Sequence, residues 1–122
     1  MAASLFISLE KEIEGVASVE PLSGRPLARA QARLDAIAKR LRVRPLADFI
    51  TPETDDDEWS ELDEFFDAIF GLRTVRALIR HVGSNPRSVM RSVDVMRDLK
   101  SLEGILKLAE KQGVRFCLGL EI

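Results

Sequence analysis

The chain has 122 residues, of which 46% are hydrophobic and 31% are charged, and its formal net charge at pH 7 is -2. This length suits one domain with one core, and the composition is that of a folded protein rather than a disordered one. The apolar run Leu5–Leu9 is too short for a signal-peptide core or a membrane span. With one cysteine, Cys117, no internal disulfide can form. We expect a single cytoplasmic domain over residues 1–122 that has no membrane partner.

Charge is unevenly distributed along this chain. Residues 25–44 carry seven cations and one carboxylate, residues 45–70 carry ten carboxylates and no cation, and residues 71–100 carry seven cations and two carboxylates. The acidic block is most simply accommodated beside the basic ones, because each then reduces the other's self-repulsion. The alternative is that the acidic block is a patch reserved for a basic partner.

Both ends of the chain have the pattern of a β-strand. Apolar residues alternate at positions 5, 7 and 9 and again at positions 114, 116, 118 and 120. A period of two predicts strands with one buried face, and we expect the two strands to be neighbours in one sheet. Two strands alone are marginally stable, so we expect either that helices cover their apolar face or that a third strand joins them, from residues 15–20 or from a second chain.

The middle of the chain has helical periodicity instead. Apolar residues from Leu27 to Leu41 recur at steps of three and four, which predicts an amphipathic helix that ends before Pro45. A second helix is predicted over Leu72–Val82, with Gly83 as its C-terminal cap.

A third predicted helix begins at Ser88 or Ser92, has Val93 in its apolar stripe and ends at Gln112 before Gly113. A short fourth helix is predicted in the acidic block. Its apolar residues would be Leu62, Phe65, Phe66, Ile69 and Phe70. The predicted fold class is α+β, a small sheet of the N- and C-terminal strands covered by three to four helices from the middle of the chain.

Few residues suit catalysis or cofactor binding. The sequence has no glycine-rich phosphate loop, no cysteine pair at metal spacing, no HExxH and no nucleophile elbow. A lone His81 and a lone Cys117 are most simply structural residues. The consecutive acids Asp55 to Asp57 lack the alternation and the glycine of a calcium loop, although Asp56 with Glu61 or Glu64 is an alternative magnesium site. We expect no catalytic residue, no metal and no cofactor.

Arginines follow two of the predicted helices, at positions 25, 29, 33, 40 and 44 and at positions 73, 76 and 80. Rows of this kind can bind phosphates along a nucleic acid. However, the chain is acidic overall, has no tyrosine and places no aromatic residue among these arginines, so nucleic acid is not favoured as a ligand. Arginine stems that pack beside the core explain the same residues.

Four segments together resemble a group of small uncharacterised bacterial proteins that have strands at both ends and helices in the middle. The segments are "SLFISLEKEIEGV", "LARAQARLDAIAKRLRVRPLADFI", "GLRTVRALIRHV" and "LEGILKLAEKQGVRFCLGLE". The resemblance covers nearly the whole chain and consists of packing patterns. It implies a bacterial cytosolic single domain and carries over no activity, cofactor or site residue.

The favoured functional hypothesis is a non-enzymatic interaction or regulatory domain, such as an inhibitor or immunity protein, that binds a basic protein partner. A tryptophan among carboxylates can anchor such an interface within a polar rim. The predicted partner-binding residues are Trp59, Asp55, Asp56, Asp57, Glu58, Glu61 and Glu64.

Two alternatives stay open. Trp59 can instead pack the acidic block against the core. The protein can also be a small enzyme or ligand-binding domain whose pocket opens between sheet and helices and uses His81, Cys117 or the carboxylates. A homodimer is expected in addition, because a small sheet leaves strand edges exposed and a two-fold contact across an edge or an apolar helix face would cover them.

Overall fold

The computed structural model of the protein describes residues 4–11, 13, 19–21, 25–50 and 65–121. The fold is α+β, as predicted, with three α-helices beside a small antiparallel sheet. In chain order its elements are β1 (Ser4–Leu9), β2 (Val19–Pro21), α1 (Arg25–Arg40), α2 (Ala68–Ser84), α3 (Ser92–Gln112) and β3 (Phe116–Glu121). Two 3-10 helices, Leu46–Phe49 and Pro86–Ser88, lie in the connections.

The sheet has the strand order β2-β1-β3, so the two terminal strands are neighbours, as the alternating patterns predicted. Ile7 of β1 lies opposite Leu118 of β3 on one side and Glu20 of β2 on the other. The third strand begins at Val19, near the end of the segment from which it was expected. Beyond the paired residues, Arg115 donates from Nε to a Glu10 carboxylate oxygen at 2.8 Å, and this guanidinium lowers the pKa of Glu10.

The helices cover one face of the sheet and form the core with it. Leu5, Ile7 and Leu9 are buried while their neighbours in β1 are partly exposed, because alternate side chains point to opposite faces. Among the described residues, the largest fully buried side chains are those of Phe49, Phe116, Leu5, Ile7, Leu27, Leu34, Leu46, Leu72, Leu78, Leu99, Leu102 and Leu106.

Two side chains fix the segment that follows α1. Asp35 accepts a hydrogen bond from the backbone N–H of Leu46 at 2.8 Å, which satisfies a donor at the start of the 3-10 helix Leu46–Phe49. The buried Thr74 of α2 donates from its hydroxyl to the carbonyl of Arg44 at 2.7 Å. The chain between α1 and Phe49 is therefore held against two helices.

The helix ends differ from the sequence prediction at one place. Gly83 does not cap α2, which continues to Ser84. Asn85 ends the helix instead, because its backbone N–H and its side-chain amide both donate to the carbonyl of His81, at 2.9 and 3.1 Å. The third helix begins at Ser92, after a separate turn, and Gly113 ends it with a positive φ of 68° as predicted. None of the helices in the described ranges is long and apolar enough to cross a membrane.

In the described residues, the predicted fourth helix is wrong as a separate element. Phe66 makes a β-bridge rather than a helical turn, and Ile69 and Phe70 belong to α2, which begins at Ala68. Leu62 lies outside the described residues. The helical spacing in this stretch arises from the first turn of α2, while Phe66 is held extended by its pairing with β3.

Asp98 is the one buried carboxylate in the described part of the chain. Asp98 is 1% exposed, and its Oδ2 accepts no hydrogen bond from the described residues. A buried acceptor without a partner costs about 1–3 kcal/mol, and more when it is charged. Asp98→Leu should therefore raise the free energy of unfolding by about 1–3 kcal/mol in urea denaturation.

The control for this prediction is Glu110→Leu, at an exposed site on the same helix, which should change stability by no more than about 0.5 kcal/mol. A lower stability for Asp98→Leu would show that the carboxylate has a stabilising partner.

Candidate functional site: the flanks of the acidic segment and a basic groove

The acidic segment is defined here as residues 51–64, which carry eight carboxylates, no cation and the chain's only tryptophan. All of the predicted partner-binding residues fall within it and so lie outside the described residues: Trp59, Asp55, Asp56, Asp57, Glu58, Glu61 and Glu64. The structure does describe both flanks, up to Ile50 and from Phe65 onward. It therefore locates the points at which the acidic segment leaves and rejoins the fold.

Both flanks lie at the same edge of β3. Ile50 forms a parallel bridge with Leu118, and Phe66 forms an antiparallel bridge with Phe116. The second bridge has two backbone hydrogen bonds, of 2.7 and 2.9 Å. Because β1 pairs with the other edge of β3, the two flanks occupy the edge that β1 leaves open. The two bridged positions on β3 are two residues apart, so Ile50 and Phe66 are held at points separated by roughly 7 Å along the strand.

An aromatic cluster packs the two flanks together. The rings of Phe49 and Phe66 meet edge to face, with centroids 5.2 Å apart and an interplanar angle of 88°. Phe116 completes the cluster at 5.2 Å from Phe49 and 6.4 Å from Phe66. An edge-to-face pair stabilises the fold by about 0.5–1.5 kcal/mol beyond the free energy gained by burying the two rings. The cluster thus joins a residue before the acidic segment to one after it, over the buried start of β3.

Arg44 lies over this cluster. Its guanidinium carbon is 5.7 Å from the centroid of Phe49, 5.6 Å from that of Phe66 and 5.7 Å from that of Phe70. The guanidinium carbon of Arg73 lies 6.0 Å from the centroid of the Phe70 ring, and Phe70 is 39% exposed. Cations at these distances are attracted by the ring quadrupoles. Two arginines of the basic blocks therefore lie beside the flanks of the acidic segment, while the predicted proximity of the opposite charges stays a prediction because residues 51–64 lie outside the described residues.

The second surface is a basic groove of about 560 Å3 between α1 and the α2–α3 connection. Among the residues that the structure describes, four arginines and no carboxylate line it. Arg33 also donates from Nε to the carbonyl of Ser88 at 2.8 Å, which fixes the connection against α1. The lining residues are Pro26, Arg29, Ala30, Arg33, Arg87, Ser88, Val89, Met90 and Arg91.

Exposed apolar side chains accompany the basic groove. Met90 on its rim is 89% exposed, and Val93, one turn further along, is 80% exposed. Val93 borders a second, shallower groove of about 740 Å3 whose rim includes Arg97 and Lys100. The sequence analysis missed this surface and wrongly placed Val93 in the buried stripe of the third helix. A signal was present, since Met90 and Val93 lie between cations rather than in an apolar run.

His81 and Cys117 lie on different elements of the fold. His81 is half-buried in the last turn of α2, and Cys117 is buried in β3. Neither residue, and no residue of a strand, lines either groove. Within the described ranges, no three side chains of His, Cys, Asp or Glu lie close enough together to hold a metal ion. In comparisons with known proteins, no family model, no curated protein and no solved structure matches this chain.

Proposed function

We propose that the protein is a non-enzymatic interaction domain of the regulatory kind, which presents its acidic segment to a basic protein partner. The observation that carries this proposal is the fixed base of the segment. Ile50 and Phe66 are both bridged to β3, and the rings of Phe49 and Phe66 are in contact. An acidic segment of this length, with both ends fixed to a sheet edge, is suited to presentation on a surface.

The fixed base favours binding for an entropic reason. Ordering a segment at an interface costs free energy, and rigid flanks reduce the part of that cost that is met on binding. Closing the ends of the segment costs chain entropy during folding, and the β-bridges and the aromatic cluster offset that cost before any partner arrives. A partner then has less chain to order.

Charge supports the same function. Eight carboxylates without a cation attract a basic partner over distance and raise its association rate. Arg44 and Arg73 lie beside the flanks, but two guanidiniums cannot offset eight carboxylates. In this proposal most of the negative charge is available to the partner, and Trp59 supplies the apolar anchor that such interfaces require.

Titration with a synthetic amphipathic helix of lysine and leucine tests this function. Its dissociation constant is measured by calorimetry. Trp59→Ala should weaken binding about tenfold, as expected for a hot-spot residue worth about 1.4 kcal/mol. The double variant Asp55→Asn/Asp57→Asn should weaken it by a similar factor.

The matched control is Asp48→Asn/Glu110→Gln, which removes the same charge at exposed positions outside the acidic segment. It should bind nearly as the unchanged protein does. Equal weakening by the two double variants would mean that the peptide senses only net charge, and the acidic segment would then not be the binding site.

A further inference from the structure

We infer that the basic partner is a second copy of this chain, whose basic groove receives the acidic segment of the first. This inference rests on the proposed function, because it names the partner of the same segment. It also assigns a role to the basic groove and the exposed Met90, which the proposed function leaves unused.

Charge and shape at the basic groove carry the first step. Its described lining has four arginines and no carboxylate, whereas the acidic segment has eight carboxylates and no cation. Guanidinium groups bind carboxylates through paired hydrogen bonds, so Arg29, Arg87 and Arg91 suit this ligand better than lysines would. Met90 is 89% exposed at the rim, where a thioether can contact the ring of Trp59.

Reach argues for contact between copies rather than within one copy. The acidic segment is anchored near the start of α2, at Phe66, while Arg87 of the basic groove follows the end of α2. The 17 residues of α2 span roughly 25 Å. Asp57 is seven residues from Ile50 and nine from Phe66, so the limb from Ile50 would need full extension, roughly 23–25 Å, to cover that distance. A second copy removes this requirement.

The exchange is reciprocal and closes as a two-fold dimer, in which each copy contributes one segment and one groove. The outer edge of β3 is not the contact, because its own chain already pairs there at Phe116 and Leu118. Those two bridges occupy one of the strand edges across which a homodimer was expected. The electrostatic contact needs neither a strand edge nor an apolar helix face.

Light scattering tests the dimer. At micromolar concentration and low salt we expect a mass of twice 13.7 kDa, which falls toward 13.7 kDa as salt is raised because exposed charges are screened. The groove variant Arg29→Glu/Arg87→Glu should self-associate at least tenfold more weakly. Arg33 is left unchanged because it bonds to Ser88. The control Arg80→Glu/Lys107→Glu makes the same charge change at exposed positions outside the basic groove and should stay dimeric.

A mixing experiment guards against misfolded variants. The segment variant Asp55→Lys/Asp57→Lys should be monomeric alone, as should the groove variant. Mixed in equal amounts they should form a dimer, since each altered surface then faces its complement. An unchanged protein that keeps a mass of 13.7 kDa as its concentration rises would overturn the inference, and so would two variants that stay monomeric when mixed. Peptide binding that persists in either case would leave the proposed function standing.

Discussion

Phe116→Ala should lower the free energy of unfolding by about 3–5 kcal/mol, the usual range for removing a buried aromatic ring. The residue is 1% exposed, and its ring contacts those of Phe49 and Phe66. The substitution therefore leaves a cavity where β3, α2 and both flanks of the acidic segment meet. Urea denaturation measures the loss.

Phe70→Ala is the matched control. Phe70 is an aromatic residue too, and it lies beside Arg44, but it is 39% exposed. Phe70→Ala should lower the free energy of unfolding by about 1 kcal/mol, because the variant mainly loses cation–π contacts and a partly buried ring. Equal losses for the two variants would contradict the central position of Phe116 in the core.

Gly71→Ala should lower the free energy of unfolding by about 1–3 kcal/mol, although alanine forms helix better than glycine. A Cβ atom at position 71 would lie 2.5 Å from Cζ of Phe116 and 3.1 Å from Cδ1 of Leu106. The first distance is shorter than carbon atoms tolerate, and the ring that must move is buried. The absence of a side chain at Gly71 thus allows α2 to approach β3 closely.

Gly104→Ala, in α3, should change stability in the opposite direction. Nothing lies within 4 Å of a Cβ atom at position 104, so alanine there should raise stability by about 0.5–1 kcal/mol. Urea denaturation of the two variants should give shifts of opposite sign. Shifts of the same sign would contradict the packing of α2 on Phe116.

Most of the fold could be predicted because local periodicity sets it. The alternation at both chain ends predicted β1 and β3, and one buried face sufficed to make them neighbours. The three- and four-residue steps predicted α1 and most of α2 and α3. In each case, burying one face of the element places apolar residues at the repeat of its backbone. This repeat can be read from a few neighbouring residues of the sequence.

The remaining features depend on contacts between distant residues. The Phe66 bridge overrides a helical spacing because β3 offers it two hydrogen bonds. Val93 has the spacing of a core residue but is 80% exposed on the first turn of α3. Arg44 lies over the rings of Phe49, Phe66 and Phe70, which come from different parts of the chain, and no local pattern predicts that meeting.

The candidate site was predictable in part. Composition alone drew attention to the acidic segment, and its predicted contact residues stay a prediction because they lie outside the described residues. The basic groove was not predicted, although the sequence analysis had noted Arg29 and Arg33. It forms only when the α2–α3 connection brings Arg87 and Arg91 beside α1, and helical periodicity carries no information about that approach.

The most direct test of the proposed function is the emission of Trp59, the only tryptophan in the chain. It is recorded while the lysine and leucine helix is added, at a protein concentration below self-association. We expect the emission to move to shorter wavelength and to become protected from a soluble quencher, with the same midpoint as the calorimetric titration, because the indole ring enters the interface. Emission that stays unchanged while calorimetry reports saturable binding would contradict the proposal, since the partner would then bind away from the acidic segment.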